Sequence, residues 1–173
     1  GVYGNSGYAY TGSTPSKLKK RIEEANSSNA EITDINITEN GNYVIILGGS
    51  GYWTLGYPDA FLKKLEQYRT GDLRDDNILS ACFNDRGEWV VITDKHYSYS
   101  NETIKNFILK AEELYEEVYY AYITNYGMIA CCKNGVYYKN IPSNLAEALK
   151  KLTFKPKVIK FTDNGLYLIT DGE

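Results

Sequence analysis

The sequence of 173 residues contains one histidine, one methionine and three cysteines. A single imidazole leaves few ways to build the acid–base and metal chemistry that most often depends on histidine. Three cysteines cannot form a complete disulfide framework, and Cys131 and Cys132 are adjacent, so their side chains point to opposite faces of any strand. We therefore interpret the cysteines as packing residues and predict neither a metal site nor a cofactor.

Long apolar runs and long runs of one charge are also missing. No stretch approaches the roughly 18 apolar residues that a membrane-spanning helix needs, so we predict no membrane span. The net charge is −3, and no run of like charge exceeds the three cations Lys19 to Arg21. The sequence thus has no basic footprint of the kind that nucleic-acid-binding proteins show, and we predict no nucleic-acid partner.

The sequence is rich in tyrosine. There are 17 tyrosines, and aromatic residues make up 14% of the chain within a hydrophobic fraction of 43%. This length and composition are typical of one globular domain with its own core, and we predict a single domain over residues 1–173.

Four segments of the chain share one pattern: a strand, a turn with glycine, an apolar strand, an aromatic strand and an amphipathic helix. The predicted units cover approximately 31–72, 77–116, 117–156, and 157–173 together with 1–30. The turn glycines are Gly41, Gly87, Gly127 and Gly165, spaced 46, 40 and 38 residues apart. Such a period indicates a repeat architecture, and the order of elements predicts an α+β fold of three-stranded antiparallel meanders plus helices.

Three features of the units support the predicted order of strands and helices. The runs after the turns, such as YVIIL from Tyr43 and WVVI from Trp89, are apolar on both faces, so these strands should be central and covered on both sides. The third strands read GYAY, GYWT, HYSY and GVYY. Prolines 15, 58 and 142 open three helices, and Ser100 or Asn101 caps the fourth.

The chain starts at the third strand of a unit and stops after the second strand of another. We therefore expect the N- and C-terminal pieces to complete one repeat, with the strand at Tyr8–Tyr10 pairing with the strand at Tyr167–Thr170. That pairing would remove two bare strand edges and give a closed, propeller-like ring with pseudo-fourfold symmetry. A swapped dimer is the alternative, and we favour the monomer.

The W-V-V-I strand at Trp89, the Gly-aromatic strands and the proline-started helices resemble a repeat of uncharacterised secreted bacterial proteins. The resemblance implies a repeated domain and an exported location, and it implies no activity. The chain begins with Gly1, which fits either a mature terminus left after an export signal is removed or a cloning remnant. We expect a secreted, periplasmic or cell-surface protein.

Several residues invite a chemical interpretation, and each has a structural one. His96 has Asp94 nearby in sequence, yet this spacing does not make a catalytic pair. Cys131 aligns with Ile45 and should be a core residue, whereas Cys82 occupies a polar-tolerant position and should be the more reactive thiol. The recurring acidic residues Glu39, Asp85 and Asp163 suit a calcium ring, but turn chemistry explains them without metal.

The aromatic third strands are the predicted ligand-binding surface, because a closed ring would gather their side chains around one rim. Flat rings with polar tips suit both sugar faces and protein partners. The predicted ligand-binding residues are Tyr8, Tyr10, Tyr52, Trp53, Tyr57, Tyr97, Tyr99, Tyr137 and Tyr138. We predict a non-enzymatic binding module for a glycan or a partner protein. The alternatives are a hydrolase whose carboxylates assemble only in the fold, and a purely structural domain in which these rings fill space.

Overall fold

A computed structural model describes residues 2–3, 7–9 and 12–172 of the chain. Its helices are α1 (Ser16–Ser27), α2 (Asp59–Arg69), α3 (Glu102–Tyr115) and α4 (Ser143–Lys150). Its strands are β1 (Val2–Tyr3), β2 (Gly7–Tyr8), β3 (Ile32–Ile37), β4 (Tyr43–Leu47), β5 (Gly51–Leu55), β6 (Ile78–Phe83), β7 (Trp89–Thr93), β8 (Tyr97–Tyr99), β9 (Val118–Ile123), β10 (Met128–Cys132), β11 (Gly135–Lys139), β12 (Val158–Phe161) and β13 (Tyr167–Thr170).

The strands form small antiparallel sheets, which confirms the predicted α+β class. Three sheets have three strands, in the orders β3-β4-β5, β6-β7-β8 and β11-β10-β9. Strands β12 and β13 form a two-stranded sheet, and β1 pairs with β2. In the three-stranded sheets the middle strand is the apolar one that follows the glycine turn, as the sequence predicts. No helix within the described residues has the length and apolar character required to cross a bilayer.

The helices pack against these apolar middle strands. Phe61 and Leu65 of α2 share a buried cluster with Val44 of β4 and with Val91 of β7. In the same way, Phe107 of α3 shares a larger cluster with residues of β7 and β10. Each of these two helices therefore joins the sheet of its own unit to the sheet of the next, which explains why both faces of the middle strands are apolar.

The helix starts and most of the turns also follow the predicted local chemistry. Asn101 caps α3, since its Oδ1 accepts a hydrogen bond from the Ile104 amide at 2.9 Å. Turn glycines 41, 87 and 165 have positive φ. Gly127 does not, and a Cβ there would lie 2.6 Å from the Asn140 carbonyl oxygen and 3.1 Å from the Phe161 ring. Gly127 is thus required by close approach of its neighbours rather than by a left-handed turn.

The predicted ladder that would close the ring is not present among the described residues. There β13 pairs with β12, and β2 pairs with β1. Tyr10, which the prediction included in the closing strand, lies outside the described residues. Without a third strand beside it, β13 has exposed apolar side chains at a position that is buried in the other units, and Leu168 is 55% exposed. A side chain of β12 contacts β3 of the first unit, as described below.

Candidate functional site

The four glycine turns lie around one cavity of about 310 Å³, which we call the turn cleft. It is lined by the ends of β3, β6, β9 and β12 and by the first turn residues that follow them. The residue three positions before each turn glycine lines it in every unit: Thr38, Asn84, Thr124 and Thr162. Because equivalent residues of four units meet here, the repeat itself builds the cleft.

The rim of the turn cleft is held by hydrogen bonds between turns of different units. The Asn40 amide donates to Asp85 Oδ2 at 3.1 Å, and the Asp85 amide donates to Asn125 Oδ1 at 3.1 Å. Asn125 Nδ2 then donates to Glu39 Oε2 at 3.3 Å. These bonds join the turns of the first three units through carboxylates and amides that the sequence places next to each glycine.

The fourth turn joins the rim through a hydroxyl and a carboxylate. Thr124 Oγ1 donates to Asp163 Oδ1 at 2.5 Å, and the carbonyl of Thr124 accepts from Asn84 Nδ2 at 3.0 Å. Glu39 and Asp163 both line the cleft. The rim therefore offers carboxylate, amide and hydroxyl groups within one small opening.

Lys160 of β12 contacts β3 of the first unit at the turn cleft. Its Nζ lies 3.3 Å from Asp34 Oδ1 of β3 and also donates to the carbonyl oxygen of Ile35. The Asp34 side chain is 3% exposed and that of Lys160 is 24% exposed. An ionised carboxylate at this depth needs a cation and further donors to offset its lost hydration. Lys160 is the cation, and the further donors to Asp34 Oδ2 are Asn36 Nδ2 at 2.8 Å and the Ala81 amide at 3.2 Å.

Two polar groups close to this ion pair have no hydrogen-bond partner among the described residues. They are Asn36 Oδ1 and the Tyr120 hydroxyl, each on a residue that is 3% exposed. The neighbouring Tyr122 lines the cleft, and burial raises its pKa, with a smaller contribution from the Cys82, Asp34 and Asp163 charges. Tyr122 is therefore a neutral phenol at physiological pH.

The aromatic residues predicted as a shared binding surface are divided among separate surroundings. Tyr8 and Trp53 pack against the cluster formed by α1 and β4, and Tyr52 packs against the α2 cluster. The Tyr97, Tyr99 and Tyr137 side chains pack against the α3 cluster. Tyr10 lies outside the described residues. Among the described residues, the rings named above thus lie against three different clusters.

Several of these rings have bonds that explain their positions. The Tyr52 hydroxyl donates to Glu66, and desolvation followed by this bond raises its pKa to about 12. The Arg21 guanidinium lies 5.2 Å from the Trp53 ring centroid. The Tyr97 hydroxyl accepts from the Val118 amide at 3.1 Å, and Tyr137 stacks on Phe107 with centroids 4.9 Å apart.

The remaining two predicted residues, Tyr57 and Tyr138, are each 38% exposed. Tyr138 lines a second cavity of about 480 Å³ beside β11. Tyr138 is thus a predicted aromatic residue that lies at a cavity.

His96 has a carboxylate partner, but it is Asp76 rather than Asp94. Nδ1 of His96 lies 2.6 Å from Asp76 Oδ2, which also accepts from Thr93 Oγ1 at 2.8 Å. Asp94 instead accepts from the Asn77 amide at 2.9 Å, and this bond lowers its pKa. The pair was not predictable from local spacing, because Asp76 lies 20 residues before His96 in the loop that precedes β6.

The cysteines are all buried, which corrects the prediction for Cys82. Its Sγ donates to the Ile123 carbonyl at 3.4 Å and lies 3.5 Å from the Ile123 amide, and burial raises its pKa to about 12. Cys131 is a core residue as predicted, with its pKa raised by burial. Burial also raises the pKa of Cys132, to about 11. None of these thiols has the exposure or lowered pKa of a nucleophile.

The acidic residues near the turns serve as hydrogen-bond acceptors between units. Within the parts of the chain that the structure describes, no three histidine, cysteine, aspartate or glutamate side chains form a group able to hold a metal ion. The turn cleft has one feature in the sequence that could have indicated it: a Thr or Asn three residues before each turn glycine. Such a residue is also common in turns without any ligand site, so it did not identify the cleft. No family model, curated protein or solved structure matches this chain.

Proposed function

We propose that the protein is a non-enzymatic binding module and that the turn cleft holds its ligand. The observation that carries the proposal is the meeting of equivalent residues from four units around one cavity, with an internally paired lysine and aspartate beside it. Cavities that bind small ligands usually combine apolar walls with a few convergent polar groups, and their volumes begin at about 300 Å³. The turn cleft has both properties.

The chemistry of the lining favours a neutral, polyhydroxylated ligand, such as one sugar unit of a glycan. Glu39 and Asp163 supply carboxylate oxygens that can accept hydrogen bonds from ligand hydroxyls. The apolar part of the wall, including Phe83 and Phe161, suits the carbon face of a sugar ring. Lys160 is already paired with Asp34, so the cleft does not require an anionic ligand.

Binding to a glycan panel, followed by titration calorimetry, tests this proposal. The Glu39→Ala/Asp163→Asn variant removes two carboxylates from the rim, and we expect affinity to fall at least about tenfold. The matched control is Glu31→Ala/Asp59→Asn, which changes two exposed carboxylates away from the cleft and should alter affinity less than about twofold. Circular dichroism verifies that both variants fold.

Two results would contradict the proposal. The first is the absence of binding to any glycan. The second is loss of binding in Tyr138→Ala with full affinity retained in the cleft variant, because this would move the ligand to the aromatic third strand.

A hydrolase is the second candidate, favoured by one observation: Glu39 and Asp163 line the same cleft. Glycoside hydrolysis uses a pair of carboxylates on either side of the scissile bond. Incubation of any bound oligosaccharide with the protein distinguishes the two candidates. Cleavage that is abolished in both Glu39→Gln and Asp163→Asn would replace the binding module by an enzyme.

The closed ring and the exported location belong to the same proposal. Lys160 supports closure, since it connects β12 to β3 across 126 positions of sequence. In a closed ring a Tyr8→Cys/Leu168→Cys variant forms an intramolecular disulfide, whereas a swapped dimer forms covalent dimers under the same oxidation. The exported location is supported by the resemblance to secreted repeats, and fractionation of cells producing the full-length protein tests it.

A further inference from the structure

The cavity beside β11 differs in charge from the rest of the molecule. Residues 133–157 contain six lysines and one glutamate, a net charge of +5 in a chain whose net charge is −3. Three of these lysines, Lys133, Lys150 and Lys155, line the cavity of about 480 Å³ between β11 and the segment that follows α4. We call this cavity the basic groove. It concentrates positive charge on a protein that is acidic elsewhere.

The cations of the basic groove are available to a partner. Lys133 pairs with Glu116 and Lys150 pairs with Glu147, each at 2.8 Å, and all four side chains are more than half exposed. Exposed pairs of this kind contribute little free energy and exchange readily with other carboxylates. The Lys155 ammonium lies 5.3 Å from the Tyr119 ring centroid, and among the described residues no carboxylate forms an ion pair with it.

One wall of the basic groove is the outermost strand of a sheet. β11 pairs with β10, and within the described residues no strand lies on its other side. Apolar side chains stand beside it, since Tyr138 is 38% and Phe154 is 42% exposed. An open edge next to such side chains accepts an extended peptide, whose main chain continues the sheet and whose alternate side chains enter the groove.

We propose that the basic groove binds an extended, acidic peptide segment that adds a strand to β11. The edge supplies main-chain hydrogen bonds, and Tyr138 and Phe154 contact the apolar side chains that enter the groove. The long, exposed lysine side chains attract the carboxylates that alternate with those apolar residues. Lysines on an edge also repel a second copy of the same edge, so the charge selects against self-association. This site is separate from the turn cleft, and the proposal does not depend on the glycan ligand.

Fluorescence anisotropy with a defined probe tests the proposal. The probe is a seven-residue peptide that alternates glutamate with valine or tyrosine and carries fluorescein at its N-terminus. We expect saturable binding that weakens as salt rises. The Lys133→Glu/Lys150→Glu/Lys155→Glu variant should weaken binding at least about tenfold, because three favourable charge contacts become repulsive.

Matched controls separate the groove from general charge. The Lys17→Glu/Lys20→Glu/Lys63→Glu variant makes the same change in net charge at exposed positions elsewhere, and its affinity should stay within about twofold of the parent protein. A peptide with N-methyl groups on alternate amides cannot form the full ladder and should lose binding. Circular dichroism of each variant verifies the fold.

Four results would overturn the proposal: no binding of the peptide, equal loss of affinity in both lysine variants, full affinity of the N-methylated peptide, or full affinity in the groove variant. An acidic polysaccharide is the other ligand that lysines attract. Binding of oligogalacturonate in the groove, together with failure of the peptide, would assign the site to an anionic glycan instead.

Discussion

The three complete units and the fourth unit carry the same sequence pattern in different surroundings. In the complete units the strand after the glycine turn lies between two others, and β4, β7 and β10 are buried along nearly their whole length. In the fourth unit β13 has β12 on one side, and Leu168 is 55% exposed. The pattern of apolar residues therefore shows which strand is built to be central, whereas its burial depends on the neighbours it obtains.

The junction between the fourth unit and the first is charged. The second and third units meet through small groups, such as Ser80 Oγ, which accepts from the Ala121 amide at 3.1 Å. The fourth unit meets the first through the charged pair of Lys160 and Asp34. The less complete packing of this unit thus coincides with a buried charge and with one side of the turn cleft, as expected where a fold trades stability for a site.

The largest expected difference in stability comes from truncating the same isoleucine side chain at equivalent positions of two units. Ile45 of β4 and Ile169 of β13 both lie four residues after their turn glycine, but Ile45 is fully buried and Ile169 is half-buried. We expect Ile45→Ala to lower the free energy of unfolding by about 4 kcal/mol and Ile169→Ala by about 1 kcal/mol. Urea unfolding with an unchanged m-value measures both. Equal losses would show that β13 is as well packed as β4.

The next expected effect concerns the charged junction. Lys160→Met leaves the Asp34 carboxylate buried without its cation, so we expect a loss of about 3 kcal/mol. Lys133→Met removes a cation from an exposed pair and should leave the free energy of unfolding nearly unchanged. The Asp34→Asn/Lys160→Met double variant should recover part of the loss. A small effect of Lys160→Met alone would mean that the pair does not support the junction.

Local chemistry made much of this fold predictable from sequence. Gly41, Gly87 and Gly165 adopt positive φ, and Asn101 caps its helix, because these properties depend on a few neighbouring residues. Cys131 was correctly placed in the core, since its position alternates with other apolar ones. Strand order in each sheet followed for the same reason, as short turns force neighbouring strands to pair.

Contacts between distant residues were not predictable in this way. Asp34 and Lys160 are 126 residues apart, and nothing in either local pattern marks them as partners. The prediction for Cys82 was wrong because the equivalent residues of the other units are polar. Cys82 itself is buried, and its Sγ donates to the Ile123 carbonyl. The aromatic third strands repeat in sequence, yet Tyr52, Trp53 and Tyr137 pack against three different clusters.

The reactivity of cysteine thiols also tests the difference in burial between the complete units and β13. Burial raises the pKa of Cys82 to about 12 and that of Cys132 to about 11, so little thiolate forms at pH 8 in the complete units. A cysteine introduced as Leu168→Cys lies on exposed β13 and should react with a thiol reagent on the order of 100-fold faster. Measured with Ellman's reagent, comparable rates at all four cysteines would contradict the burial of the native three.

The smallest expected effect is a loss of stability at alkaline pH that originates in the complete units. Burial is the largest cause that raises the pKa of Tyr52, Tyr97 and Tyr119 to about 12. Because the pKa of an unfolded tyrosine is about 10, the folded state holds these protons more tightly. Their contribution to stability is complete below pH 10 and is lost as the pH rises towards 12. As the pH rises, tyrosinate absorbance of the folded protein should therefore increase later than that of unfolded protein, and then increase together with loss of circular dichroism.

The Tyr52→Phe variant removes one of these groups and should move the midpoint pH of alkaline unfolding slightly upward. Complete ionisation near pH 10 with an intact fold would show that these tyrosines are freely hydrated.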